Sequence, residues 1–205
     1  MRRERLARMG LAALVGLVMA ALIAWMTILH DQRQAGGGVG KVSIGGPFTL
    51  MDHTGRVVTD TDFAGKYRLI FFGYTYCPDI CPTELQTIGQ VMDQLGDDEV
   101  LVQPLFITID PARDTPAVLA GYVKLFHPAI LGLTGTKEQI AAVAKAYRVY
   151  YARSTGAAGT DGYMMDHSTF AYLMAPDGTF ISVFAKGTSA EQMVAAIRGQ
   201  QGAAN

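Results

Sequence analysis

Cysteine is scarce in this chain. The 205 residues contain two, Cys77 and Cys81, with three residues between them. A bond between them would close a loop of only five residues, and short loops remove little entropy from the unfolded chain. A disulfide-stapled scaffold is therefore excluded, and two thiols at one local site point to chemistry. Charge of one sign is lacking too: 17 Lys and Arg stand against 18 Asp and Glu. Without a basic stripe or charge block, nucleic acid is not an expected partner. Partners should be recognised by local surface rather than by bulk field. There is no internal repeat, and no low-complexity segment beyond a glycine-rich stretch around Gly36-Gly37-Gly38. Half of the residues are hydrophobic, enough for the core of one ordinary domain with an extension.

The extension is N-terminal. Arg2, Arg3, Arg5 and Arg8 precede an uncharged run over residues 9–29. A helix of that length spans a hydrocarbon core of ~30 Å. The run continues past Trp25 to Leu29 with no A-x-A-like cleavage site, so an uncleaved anchor is expected, with a cleaved signal peptide as the alternative. Trp25 suits a membrane interface, and the arginines put the N-terminus inside and the remainder outside. The expected organisation is a cytoplasmic basic segment at 1–8, a single transmembrane helix at 9–29 and a flexible linker at 30–46. A domain at 47–199 and a tail at 200–205 follow. The expected location is the inner (cytoplasmic) membrane with the domain in the periplasm, where thiols oxidise unless kept reduced or metallated.

Within the domain, residues 48–51 and 57–58 read as a hairpin turning at His53-Thr54-Gly55, and residues 69–74 as a central apolar strand. Leu85, Ile88, Met92 and Leu95 recur at helical spacing. Cys81 is expected at the N-cap of that helix and Pro82 at its first position. Residues 100–109 read as a second strand. Thr115-Pro116 opens a helix toward Phe126, and Thr136 with Gln139 makes a capping box for another. Residues 168–174 and 180–184 form a hairpin around Pro176-Asp177-Gly178, and Ser189 with Gln192 caps a last helix through Ile197. Strands alternating with helices imply parallel pairing, and the terminal hairpin adds antiparallel strands. The expected fold is α/β: a thioredoxin-like central mixed sheet flanked by helices. The cysteine loop then lies at the carboxyl end of a strand, where open α/β sheets place their sites.

Thiols at a helix N-terminus are acidified and presented as thiolates. That serves redox exchange or a soft metal. Thioredoxin-type redox pairs have two residues between the cysteines and a cis-proline in the loop before the later hairpin. Here three residues intervene, and the corresponding loop, residues 162–168, has no proline but has His167. Two sulfurs and an imidazole make a three-coordinate set that suits Cu(I), and a weak fourth ligand would let the site hold Cu(II). Asp79 and Asp166 flank the site as candidates for orienting the imidazole or touching a partner. Asp110 is expected to initiate a turn, with a lesser role in shaping the site. Met164 and Met165 are soft enough to ligate but are expected to pack. His30, His53 and His127 are expected at the surface.

Three segments carry a resemblance. Residues 76–85 (Tyr76-Cys77-Pro78-Asp79-Ile80-Cys81-Pro82-Thr83-Glu84-Leu85), residues 107–115 (Ile107-Thr108-Ile109-Asp110-Pro111-Ala112-Arg113-Asp114-Thr115) and Asp166-His167-Ser168 resemble the signature of the Sco/SenC family. The likeness runs from about residue 48 to 197, and the anchor also matches. It implies a copper-binding assembly factor of cytochrome c oxidase rather than an enzyme, with Cys77, Cys81 and His167 as ligands. It further implies an upstream copper donor protein, and oxidase subunit II as recipient of metal or of reducing equivalents. A thiol–disulfide oxidoreductase that reduces the subunit's copper-site cysteines through Cys77 and Cys81 shares the thiols but needs no histidine. A peroxidase is disfavoured because the P-x-x-x-[ST]-x-x-C loop is absent: Thr75 lies two residues before Cys77, not three, and no proline precedes it in the loop. A copper or redox sensor acting through partner binding stays open.

Overall fold

A strand buried on both faces organises the domain. In the computed structural model, which describes Met19, Trp25 and residues 44–154 and 163–203, β3 (Tyr67–Gly73) is buried at every position. Its near-continuous apolar run is what a sheet covered by helices on both sides requires. Around it the chain builds β1 (Thr49–Asp52), β2 (Val57–Thr59), α1 (Ile80–Leu95), β4 (Val102–Thr108), α2 (Pro116–Val123) and β5 (Leu131–Thr134). There follow α3 (Lys137–Ala146), β6 (Tyr151–Ser154), β7 (Met164–His167), β8 (Ala171–Met174), β9 (Phe180–Phe184) and α4 (Ala190–Ala203). Among the described residues, seven strands form one mixed sheet in the order β2-β1-β5-β4-β3-β8-β9. β3, β4 and β5 run parallel, and the other neighbours pair antiparallel.

The period of two along β3 divides its side chains between the faces. Phe71 stacks near Phe106 of β4, which in turn meets Tyr122 of α2. Phe72 on the opposite face meets Tyr147 at the end of α3 and Tyr172 of β8. α4 packs along α1, and Glu84, buried in α1, accepts the Gly187 N–H just before α4 at 3.1 Å. The capping box at Thr136 and Gln139 forms as the sequence implies.

Several boundaries differ from the sequence reading. α1 starts at Ile80 with Asp79 at the N-cap, so Cys81 and Pro82 are its second and third residues. Proline is tolerated there because first-turn N–H groups have no intrahelical acceptor. β4 begins at Val102, after a 3₁₀ turn over Gly96–Leu101. β5 is a strand the sequence did not signal. The irregular loop expected at 162–168 is largely β7, which pairs with β6 in a separate two-stranded sheet. α4 runs on to Ala203, past the expected end of the domain. The last residues of the expected linker are docked: the Gly45 N–H donates to the Ala146 carbonyl at 3.0 Å. His53 and His127 are partly buried rather than exposed. Each accepts a backbone N–H at Nδ1, from Gly132 and Ala129 respectively. The N-terminal segment 1–8, the membrane span 9–29 and the linker to residue 43 lie outside the described residues, apart from Met19 and Trp25. No helix among the described residues is long and apolar enough to cross a membrane.

The cysteine loop is fixed to the sheet by one buried carboxylate. Asp114 is fully buried and accepts the Thr75 N–H at 3.1 Å, the Thr75 hydroxyl at 2.6 Å and the Thr108 hydroxyl at 2.6 Å. Burial leaves its pKa raised, with the three donors offsetting only part of that. Replacing Asp114 with Ala leaves those donors without an acceptor, for an expected loss of about 2–4 kcal/mol. Urea unfolding of the parent and D114A measures it. A loss below about 1 kcal/mol would mean the buried carboxylate is not what fixes the loop.

Candidate metal centre

The two thiols and the imidazole arrive from different parts of the fold. Cys77 follows β3 in the loop to α1, Cys81 sits in the first turn of α1, and His167 ends β7. Sγ of Cys77, Sγ of Cys81 and a ring nitrogen of His167 lie within 4.8 Å of one another. Both cysteines are free thiols; Cys81 is fully buried and Cys77 is 9 % exposed. The sequence-derived trio is thus brought together, at the carboxyl end of β3.

Local backbone chemistry explains the thiol geometry. Asp79 makes no side-chain cap at the start of α1. The Cys77 sulfur takes that part, accepting the Cys81 N–H at 3.3 Å. Gly73 supplies the room: a Cβ there would stand 2.7 Å from the Cys81 sulfur and 2.9 Å from the Phe106 ring. A helix start favours negative charge, and donors converge on Cys77 from the Cys81 thiol and from backbone N–H groups. They hold its pKa down to about 4 against the opposing effect of burial. Cys81 moves the other way, raised because its proton bonds to the Cys77 sulfur, because it is buried, and because that thiolate is negative. The pair behaves as one thiolate on Cys77 with the remaining proton on Cys81.

The imidazole is oriented by its other nitrogen. Nδ1 of His167 lies 2.9 Å from the Ser168 carbonyl. A carbonyl only accepts, so Nδ1 carries the proton and Nε2 keeps its lone pair. Nε2 lies 3.6 Å from the Cys81 sulfur. This is the tautomer a metal-ligating histidine needs, set by a partner outside the ligand trio. The rings of Tyr74 and Phe71 meet the imidazole edge-on, at centroid distances of 5.9 and 6.4 Å. A cleft of about 350 Å³ opens over Cys77 and His167, lined also by Asp79, Met164, Asp166 and Thr169.

The three candidate aspartates take different places. Asp79 is exposed on the rim of the cleft, and its carbonyl accepts the Thr83 hydroxyl at 2.8 Å. Asp166 is exposed on the same rim, while the acceptor on the imidazole is the Ser168 carbonyl. Asp110 is buried and both turns the chain and binds side chains. Its carbonyl accepts the Arg113 and Asp114 N–H groups. Its carboxylate accepts from the Arg113 guanidinium and, at 2.7 Å, from the Tyr163 hydroxyl. Met165 is buried and gives its N–H to the Tyr74 hydroxyl at 3.2 Å. The sequence reading missed Gly73, Tyr74, Arg113, Asp114 and Tyr163. Arg113 and Asp114 stood inside a quoted motif, but no local period shows which distant groups they meet.

The asymmetry of the thiols is testable. With reduced, metal-free protein, iodoacetamide should label Cys77 alone, and the rate should change little between pH 8 and pH 6. An ordinary thiol of pKa ~8.5 slows steeply over that range. Peptide mapping showing Cys81 labelled first, or a rate that falls like a free thiol's, would contradict this assignment.

Comparison with known proteins agrees with this architecture. The family model described as SCO1/SenC matches residues 37–201. A relative named "Protein SCO2 homolog, mitochondrial" from Bos taurus is 45 % identical over 200 residues, covering 93 % of this chain and 74 % of its own length. The structure of Bradyrhizobium japonicum ScoI with copper bound has a TM-score of 0.71 at 43 % identity, covering 77 % of this chain and 99 % of that one. Yeast Sco1 with copper bound has a TM-score of 0.71 at 42 % identity, covering 78 % of this chain and 88 % of that one. With a family model matching most of its length and a fold and Cys-Cys-His group to go with it, the chain belongs to the SCO1/SenC family.

Proposed function

We propose that the chain is a membrane-anchored copper metallochaperone that binds Cu(I) through Cys77, Cys81 and His167. In this reading it takes the ion from an upstream copper donor protein and delivers it to the binuclear copper centre of cytochrome c oxidase subunit II. The observation that carries the reading is the donor set: two sulfurs and an imidazole nitrogen within 4.8 Å of one another, the nitrogen lone pair freed by the Nδ1 bond to Ser168. Thiolate and imidazole together suit a soft d¹⁰ ion. The copper-bound relatives share the fold, and the mitochondrial name of the bovine relative suits a site outside the cytosol.

Transfer follows from burial. Cys77 and His167 line the open cleft, whereas Cys81 has no exposure. An incoming partner thiolate meets the ion from the cleft, so Cys77 or His167 is exchanged first and Cys81 last. No electron moves: one metal–ligand bond forms as another breaks, and Cu(I) stays Cu(I). Asp79 and Asp166 stand on the rim where a partner would dock.

One observation favours a second use of the same thiols. A Cys77 thiolate beside the Cys81 thiol suits attack on a partner disulfide. Cys77 forms a mixed disulfide and releases one partner thiolate. Cys81 then displaces the other, leaving a Cys77–Cys81 disulfide and a reduced partner. The histidine has no part in that exchange.

The two uses separate in one experiment. Full-length chain, reduced and held without oxygen in mild detergent, is titrated with Cu(I) against a chromogenic chelator. The parent should bind one equivalent tightly. Cys77→Ser and Cys81→Ser should each weaken binding more than 100-fold, and His167→Ala at least tenfold, since even groups beyond the ligands cost ~10–100-fold. His167→Ala should leave reduction of a disulfide peptide unchanged. A parent without tight copper, or an H167A variant equal to the parent, sinks the copper site and leaves the reductase reading.

A further inference from the structure

His167 reaches the thiols on a small sheet of its own. β6 and β7 pair with each other and, among the described residues, share no ladder with the seven-stranded sheet. The distance from the imidazole to the sulfurs is therefore set by ties between the hairpin and the main domain. The Tyr74 hydroxyl taking the Met165 N–H is one. The Tyr74 and Phe71 rings against the imidazole are another, and a further group converges on Tyr163, at the entry to β7.

Tyr163 is held on three sides. Its ring lies between two guanidiniums, with Cζ of Arg113 3.9 Å and Cζ of Arg153 4.0 Å from the ring centroid. Its hydroxyl donates to Asp110 at 2.7 Å, and its carbonyl accepts Nη1 of Arg113 at 2.9 Å. Arg113 is itself anchored: its Nε donates to Asp110, and its guanidinium lies 4.6 Å from the Tyr76 ring centroid and 5.7 Å from that of Tyr74. Tyr74 and Tyr76 lead directly into Cys77. One guanidinium thus joins the cysteine loop, the turn after β4 and the start of the histidine strand.

The chemistry makes this a clamp rather than a filler. Cations favour the face of an aromatic ring, so the Tyr163 ring lets two like charges stand on either side of it. The Asp110 carboxylate neutralises one of them. Without the ring, the two guanidiniums lose the face they both lie against, and β6 loses that tie to the β4–α2 turn. A strand rises ~3.3 Å per residue, so Tyr163 acts on His167 through a stiff lever of roughly 13 Å.

We propose that Tyr163, clamped between Arg113 and Arg153, is the residue that positions His167 against the two thiols. The proposal deepens the copper reading and rests on it for its consequence in binding, but the positioning itself is a property of the metal-free chain.

The test has one arm for each. In the metal-free full-length chain, nuclear Overhauser contacts between the His167 ring protons and the Tyr74 and Phe71 rings report where the imidazole stands, with H167A identifying the His167 signals. The parent should show both contacts. Y163L should weaken or lose them, and Y163F, which keeps the stack but loses the Asp110 bond, should stay near the parent. In the copper arm, Y163L should weaken Cu(I) about tenfold, as changes around ligands do. The same change made in H167A should cost nothing further. Thermal melts confirm that each variant is folded. A Y163L chain with the parent's His167 contacts, or a Y163L loss that persists undiminished in H167A, overturns the positioning role. A parent that binds no copper overturns the metal reading alone, because the contact arm still decides the clamp.

Discussion

The hydrogen bond from the Cys81 N–H to the Cys77 sulfur is the interaction on which the site depends. A helix that begins in a buried place must find acceptors for its first N–H groups. Here the sequence puts an aspartate at the N-cap, yet its side chain turns away and a sulfur takes the bond. That choice stabilises negative charge on Cys77, sends the remaining proton to Cys81, and closes the loop so that both sulfurs face the same point. Serine in place of Cys77 could cap the helix equally well. Only sulfur also offers a soft electron pair to a metal or to a partner disulfide.

That local arrangement needs space and rigidity from elsewhere. Space comes from Gly73, the last residue of the central strand, where any side chain would collide with the Cys81 sulfur. Rigidity comes from Asp114, which ties the backbone two residues before Cys77 to the end of β4. Both contacts lie on the face covered by α1 and α2, where Phe71, Phe106 and Tyr122 pack. The thiol half of the site is therefore an extension of the core. Its sulfurs are positioned by the end of the buried central strand and by the first turn of the helix that follows it.

Much of this was legible in the sequence, and what was not has a physical reason. The apolar run of β3, the helical spacing of α1 and the capping box of α3 are short-range signals, and each produced the expected element. The trio Cys77, Cys81 and His167 was legible because scarce residue types fell in the loops that a thioredoxin-like order of elements brings together. β5, with only four residues and a glycine among them, lacks the length to announce itself. β6 and β7 stabilise each other across a gap in the sequence, so neither has a strong pattern alone. Cys81 was expected two positions too early in the helix because Pro82 fits the third position of the first turn as well as the first. Arg113, Asp114 and Tyr163 act through partners tens of residues away, and no period in the chain encodes such contacts.

The two halves of the site differ in how they are held, and that difference bears on function. The thiols sit at the end of the central strand and on the helix after it; the imidazole sits on a separate pair of strands that shares no ladder with the main sheet among the described residues. A carrier must hold its ion firmly enough to exclude competitors and still give it up on contact. A site with three equally rigid ligands would satisfy the first need and resist the second. With Cys81 buried, Cys77 and His167 lining the cleft and His167 on a separate strand pair, the proposed carrier would exchange its ligands in sequence. The arm that positions the nitrogen is also the part that a docking surface on the rim can reach. In the proposed carrier, a partner that shifts the β6–β7 pair would loosen the nitrogen first and leave the two sulfurs, held at the end of β3 and in α1, in place.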